Sequence, residues 1–412
     1  MLSIEQYSTM LMILLALLGF ITLSKWSVSP VVIFLPIFIF YLFLISLLFE
    51  GELTALAKVV ALSLIVVLAS FCAYKVSAEE FLKLLVVSLF LLLVFNVVLA
   101  SFYPDVGVEA GKFSGDWKGV FDQKNALGRL SALLMVLATL LFISVRDLEN
   151  KIFAFFVFVS AVFVVINSGS RTGFATGVLT SVLVLFFCLV YKVIKDPEVN
   201  AKVFVAVLFF EAFSIGVIIL SNMEAVNLYS GNDGVSVFGQ FISLTGRLTI
   251  WEYAVQHLQG AHLWVGYGLD NFWTTENFRA LGAIDGMGDF YPEDSHNGYI
   301  DILIQGGVLG AFFYGTFIVF LLVSVLRANL NFVEFITFFT FISFFMISNI
   351  SESYTTKSTN IVNFIFIYLS ALVFLKSGKN RCGWILKVSS VKDIKIFGFA
   401  LLGKSVNRTR VL

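Results

Sequence analysis

The residue best suited to proton transfer is His296. It stands in Pro292-Glu293-Asp294-Ser295-His296-Asn297-Gly298-Tyr299, where the long excursion Asn222–Gly310 runs into an apolar segment. A near-neutral imidazole is the usual general base when a hydroxyl attacks an electrophile. Glu293, Asp294 and Asn297 are all near enough in sequence to orient the ring. The plain alternative is a histidine at a helix mouth with no chemistry. The other two histidines, His257 and His262, lack a third ligand at metal spacing and read as surface or interfacial residues, so no metal site is expected.

Three cations could hold an anion near such a base. Arg171 lies in Asn167-Ser-Gly-Ser-Arg171-Thr-Gly173, a turn of small residues between two apolar segments. A guanidinium fixed there suits the forked grip on phosphate oxygens; it also suits a snorkelling helix anchor. Arg247 falls in the first turn of a short amphipathic helix, with Thr245 as a candidate cap. Lys124 and Asn125 open an apolar segment, where Asn125 either caps the helix or faces a ligand. A lysine at a helix N-terminus is electrostatically mismatched, which favours an anion or acidic partner nearby. Gly266-Tyr267-Gly268-Leu-Asp-Asn-Phe-Trp273 forms a glycine turn with an aromatic shelf, on which Tyr267 and Trp273 either stack sugar rings or sit in an interfacial belt.

The elements that must position these residues are membrane helices. Of 412 residues, 59% are hydrophobic and 13% charged, against roughly 25% charged in soluble domains. Formal net charge is zero, which points away from a nucleic-acid partner. Cys72, Cys188 and Cys382 show no CxxC spacing, so neither a disulfide framework nor a thiolate site is indicated. A spanning helix needs about 20 apolar residues. Candidates are 7–24, 28–49, 53–74, 81–101, 126–144, 151–167, 173–191, 201–220, 297–326, 332–350 and 359–375. The fold expected is an all-α polytopic membrane protein, with the first span retained. Pro30 begins the second span at little cost, and Pro36 should kink it. Residues 229–240 read as loop. Gly306, Gly307 and Gly310 should give the span 297–326 a smooth packing face.

Lysine and arginine bias the short connections. Lys25, Lys75, Lys83, Arg146, Lys151, Lys192, Lys195, Lys202, Arg327 and the basic tail 376–412 fall on one side, expected to be cytoplasmic. Glu50–Glu52, the loop 102–125, Asn167–Thr172, the loop 221–296 and Ser351–Ser358 fall on the other, expected outside. This divides the chain into helices 1–220, a catalytic outer loop 221–296, helices 297–375 and the tail. An odd number of spans puts the N-terminus outside. Lys112, Lys118, Lys124, Arg129, Arg171, Arg247 and Arg279 break the charge bias on the outer face. Rim charges of this kind either serve a ligand or are simply solvated.

These motifs together resemble the O-antigen ligase and polysaccharide polymerase superfamily of bacterial envelopes, which includes Wzy-type and ExoQ-like polymerases and WaaL-type ligases. His296, Asn297, Gly307 and Gly310 match the ligase-family pattern of His, then Asn, Ser or Gln, nine residues, Gly, two residues and Gly, Thr or Tyr. Phe121–Gly128 resembles the family's lysine-asparagine motif, with Gln123 where many ExoQ-like members have histidine. Ser170–Gly173 and Gly246–Leu248 resemble its two outward-facing arginine segments.

The resemblance implies a GT-C-like glycosyltransferase with about twelve spans, in a bacterial inner membrane, its site facing the periplasm or outside. It implies an undecaprenyl-pyrophosphate-linked glycan as donor, no metal or other cofactor, arginines on the pyrophosphate and His296 serving the acceptor. The acceptor is either another lipid-linked repeat unit, as for a polymerase, or lipid A–core, as for a ligase. The stretch 244–273 is nearer to exopolysaccharide polymerases, for which a chain-length regulator protein is a further expected partner. A flippase or transporter of the same glycan is the non-enzymatic alternative. It would need charges inside several spans, whereas most spans here, Lys58 apart, have apolar middles.

Overall fold

In the computed structural model, described residues are 27–28, 31–49, 54–194, 202–204, 206–207, 234–237, 240–243, 247–269, 271–282, 294–357, 360–377 and 386–387. The fold is all-α. Among these residues, six helices are long and apolar enough to cross a membrane: Ala57–Lys75, Ala78–Phe102, Lys124–Ser144, Leu148–Asn167, Arg171–Val193 and Gly298–Val325. Phe34–Leu48, Phe332–Ser348 and Ile361–Ser377 are shorter apolar helices. Together these account for the expected spans except 7–24, which lies outside the described residues, and 201–220, which does so almost wholly. The Val31–Leu48 helix continues through Pro36.

We label the helices that build the site α1 (Val31–Leu48), α2 (Lys124–Ser144), α3 (Arg171–Val193), α4 (Arg247–Gln256), α5 (Ala261–Val265), α6 (Gly298–Val325) and α7 (Phe332–Ser348). Helix α2 is central, with 72% of its apolar window buried. Lipid tails are as apolar as leucine, so helices in a bilayer associate through close packing of small residues. Gly173 and Gly177 of α3 lie against Gly128 and Ala132 of α2; a Cβ on Gly173 would come within 2.8 Å of the Gly128 carbonyl oxygen. Large apolar side chains on the outer surface, such as Leu91, Phe155 and Leu185, remain exposed, as lipid-facing positions should.

The connections segregate to two ends of the bundle. At one end, Tyr368 donates to the Val76 carbonyl and Lys376 pairs with Glu334 at 2.6 Å. Capping boxes Ser77–Glu80 and Asn331–Glu334 start helices there, each such cap contributing about 1 kcal/mol. At the other end the loops expected outside meet. The Trp117 amide donates to Asn167, and the Gly298 amide to Asn349 and Glu352.

The excursion is fastened to this second end through a break in α6. Gly307 has φ 60° and ψ −164° inside the helix. Its missing Cβ would lie 2.4 Å from backbone atoms of Trp264. The expected smooth glycine face is therefore a helix interruption at Gly307, while Gly306 and Gly310 do pack on Tyr41 of α1. Carbonyls loosened at such a break need new partners in a membrane. Ile304 and Gln305 accept from the Tyr267 and Gly268 amides, and Gly306 accepts from the Tyr41 hydroxyl at 2.9 Å. Residues Gly234–Val237 and Gln240–Ser243 pair as a two-stranded antiparallel ribbon, not the loop expected over 229–240. Val235, Val237, Phe241 and Ile242 supply the β-branched and aromatic residues that favour pairing.

Candidate active site

His296 is held between α4, α6 and the loop after α7. It is the one non-glycine described residue with positive φ, 50°, a conformation that stores strain of about 1–3 kcal/mol. Several bonds enforce it. The His296 amide donates to Asp294 Oδ1 at 2.8 Å. The Trp251 indole donates to the Ser295 carbonyl at 2.8 Å, tying the turn to α4. The next residue, Asn297, is the N-cap of α6, accepting from the Tyr299 and Ile300 amides. A side chain at Gly298 would collide with Asn349, so the loop after α7 lies hard against the turn.

Of the residues named as able to orient the ring, Asp294 is the described one that is in place. Its Oδ1 is 3.4 Å from His296 Nδ1, and its other oxygen meets Lys357. Asn297 is committed to the helix cap, and Glu293 lies outside the described residues. Burial lowers the imidazole's proton affinity below the ordinary value. Asp294 and Glu352 pull it up, Arg247 and Lys357 push it down, and the net direction is down. Burial alone would raise the Asp294 carboxyl. Lys357 and His296 outweigh that and hold it below the usual range. The pair at neutral pH is thus a neutral imidazole beside an ionised carboxylate.

Arg247 is buried at the start of α4 and pairs with Glu352 Oε1 at 3.3 Å. Arg129 of α2 pairs with the other oxygen, Oε2, at 2.5 Å. One carboxylate therefore bridges two guanidiniums beside the histidine. Burial depresses the Arg247 proton affinity, opposed by Glu352, and a guanidinium stays charged regardless. Glu352 was not singled out in the sequence, and Arg129 stood only among the exceptional outer cations. Glu352 lies within the expected outer loop Ser351–Ser358 and Arg129 one helix turn from the loop 102–125, positions that many charged residues share.

Lys124 and Arg171 form a second group. Lys124 pairs with Asp116 at 2.5 Å and lies over the Phe113 ring, while its amide donates to Glu109 at 2.8 Å. The acidic partner expected for a lysine at a helix N-terminus is thus supplied by the chain itself. Gln123 occupies the N-cap position and Asn125 lies within the first turn, so Asn125 does not cap. Arg171 is exposed in the first turn of α3, behind the Ser170 cap. The groups are adjacent through Gly128, whose added Cβ would meet Ser170, but no described contact joins Arg171 or Lys124 to His296. Tyr267 is stacked face to face on His262 at 3.9 Å and donates to the His257 carbonyl; Trp273 packs edge-on against Phe272. The candidate cap Thr245 is outside the described residues.

Chemically, the arrangement offers a strained, neutral, carboxylate-oriented imidazole next to two guanidiniums. Residues 156–315 match the family model described as O-antigen ligase. The match takes in Arg171, Arg247 and His296 and ends after the Gly307 break. No curated protein matches the chain. Residues 156–315, set in a bundle of membrane helices, are thus similar to the O-antigen ligase family, in keeping with the resemblance to the O-antigen ligase and polysaccharide polymerase superfamily.

Proposed function

We propose that the protein polymerises undecaprenyl-pyrophosphate-linked oligosaccharide repeat units at the outer face of a bacterial inner membrane. His296 is the general base. It accepts the proton of an acceptor hydroxyl as that oxygen bonds to the donor's anomeric carbon. The bond from that carbon to the pyrophosphate oxygen breaks, and undecaprenyl pyrophosphate leaves. Direct displacement inverts the anomeric centre. Pyrophosphate leaves readily once cations grip it, so the remaining need is an aligned hydroxyl and a base. Arg247 is the donor cation nearest the base, with Arg171 and Lys124 as outer contacts. Side chains supply both functions, and the reaction is read as metal-independent. Tyr267 and Trp273 remain candidates for the sugars, on whatever ring surface their own stacking leaves open.

The observation that carries this reading is His296 Nδ1 facing Asp294 at 3.4 Å, beside the Arg247–Glu352 pair. The test is a purified-protein assay with lipid-linked repeat units as sole substrate. Products of several repeats and released undecaprenyl pyrophosphate are expected, with chelator making no difference. Product formed only on addition of lipid A–core would make the protein a ligase. Relocation of the substrate across a bilayer without bond change would make it a flippase.

A further inference from the structure

Lys357 was not among the residues the sequence singled out. It follows the Glu352 turn, in the loop after α7, and its side chain is partly exposed while that of Asp294 is nearly buried. A buried carboxylate with no cation of its own would draw a proton onto a neighbouring imidazole, forming an ion pair. An imidazolium is useless as a base. Here the two oxygens of Asp294 are divided. Oδ2 meets the Lys357 ammonium, and Oδ1 takes the His296 amide at 2.8 Å and faces Nδ1. We propose that Lys357 is a positioning residue for His296: by neutralising Asp294 through one oxygen, it lets the other oxygen fix the ring with its proton on Nδ1 while leaving the imidazole uncharged.

Nε2 then carries the lone pair that takes the acceptor's proton, so the inference rests on the reading of His296 as the base. Every charged element around the ring enters the balance. Asp294 lies on its own turn, Glu352 and Lys357 on the loop after α7, and Arg247 on α4. Arg129 on α2 and Asp301 on α6 feel the Asp294 charge. Among these, Lys357 is the cation in contact with the carboxylate that faces the imidazole. Its loss removes the positive charge on the carboxylate that faces the imidazole.

The test is nitrogen-15 histidine NMR of the full-length protein in detergent, without substrate. The chain has three histidines, and His296→Gln assigns the relevant signal by deleting it. The wild-type signal should show the proton on Nδ1. Lys357→Met should move the titration midpoint upward, and Lys357→Arg should return it. In the transfer assay the acid limb of kcat/KM should follow, each unit of midpoint shift lowering kcat/KM about tenfold at pH values below both midpoints, with donor KM unchanged. If Lys357→Met does not fold, Lys357→Gln carries the same readouts. A wild-type proton on Nε2, or an unmoved midpoint in the folded charge-free variant, would overturn the proposal. So would a raised donor KM with an unmoved midpoint, which would make Lys357 a donor contact instead. The spectrum is read without donor or acceptor, so it stands or falls apart from the transferase reading, whose failure shows as absent product in the wild type.

Discussion

His296 combines a backbone no ordinary residue prefers with a side chain poised to take a proton. Strain of that kind persists where the surroundings enforce it, and it gathers at functional positions. Asparagine tolerates positive φ at least as well as histidine, so His296→Asn should keep expression and thermal stability. Turnover of the purified variant should fall roughly 100-fold or more, the usual range for loss of a general base. His257→Ala and His262→Ala should leave turnover within a few-fold, since their rings pack on Tyr253 and Tyr267. The wild-type rate should be sustained to a lower pH than an ordinary imidazole allows. The base works when neutral, and burial moves its titration down; the rate is lost only as pH falls through that lowered midpoint. Near-normal turnover by folded His296→Asn would end the assignment. Glu352 makes a separate prediction. Its carboxylate serves both Arg129 and Arg247, and removing one partner of a buried ion pair typically costs about 3–5 kcal/mol. Glu352→Ala should lower the unfolding temperature sharply, whereas Lys83→Ala, breaking the exposed Glu79 pair, should barely move it.

At the level of elements, the break at Gly307 explains how a polar excursion is anchored to a membrane helix. The positive φ and the 2.4 Å approach to Trp264 both demand glycine. The released carbonyls become acceptors for Tyr267, Gly268 and Tyr41. Gly307→Ala should therefore detach the short helix α5 from α6. The expected result is faster proteolysis within 257–270 and destabilisation of about 1–3 kcal/mol from the backbone conformation alone. Gly315→Ala, with open space around it, should be neutral in the same digestion. Equal behaviour of the two variants would remove the anchoring role. The GxxxG pair Gly173 and Gly177 plays a matching part for α2 and α3, bringing Arg129 and Arg171 to neighbouring helix starts.

For the molecule as a whole, the two classes of connection occupy opposite ends of one helix bundle. Which end faces the cytoplasm rests on the lysine and arginine bias. With Cys72, Cys188 and Cys382 replaced, an exposed cysteine at Asp105 should label in intact cells, and one at Glu149 only after permeabilisation. The reverse pattern would invert the topology and move the site to the cytoplasm.

The membrane class, the helix positions and the family pattern around His296 were all legible in the sequence, because each depends on local composition or fixed spacing. Apart from 201–220, which lies almost wholly outside the described residues, spans from 53–74 to 359–375 fell within a few residues of helices such as Thr54–Lys75 and Ile361–Ser377. The choice of Asp294 over Asn297 was not legible, since both are near neighbours of His296 and only the helix cap commits one of them. Nor were Glu352 and Lys357, which come two helices later and reach His296 because α7 returns to the same end. Gly307 looked like a packing glycine because its partner, Trp264, lies forty-three residues away in the chain. Sequence fixes which residues prefer a helix or a turn; only the folded chain decides which distant charge neutralises which, because that depends on helices meeting within a few ångströms.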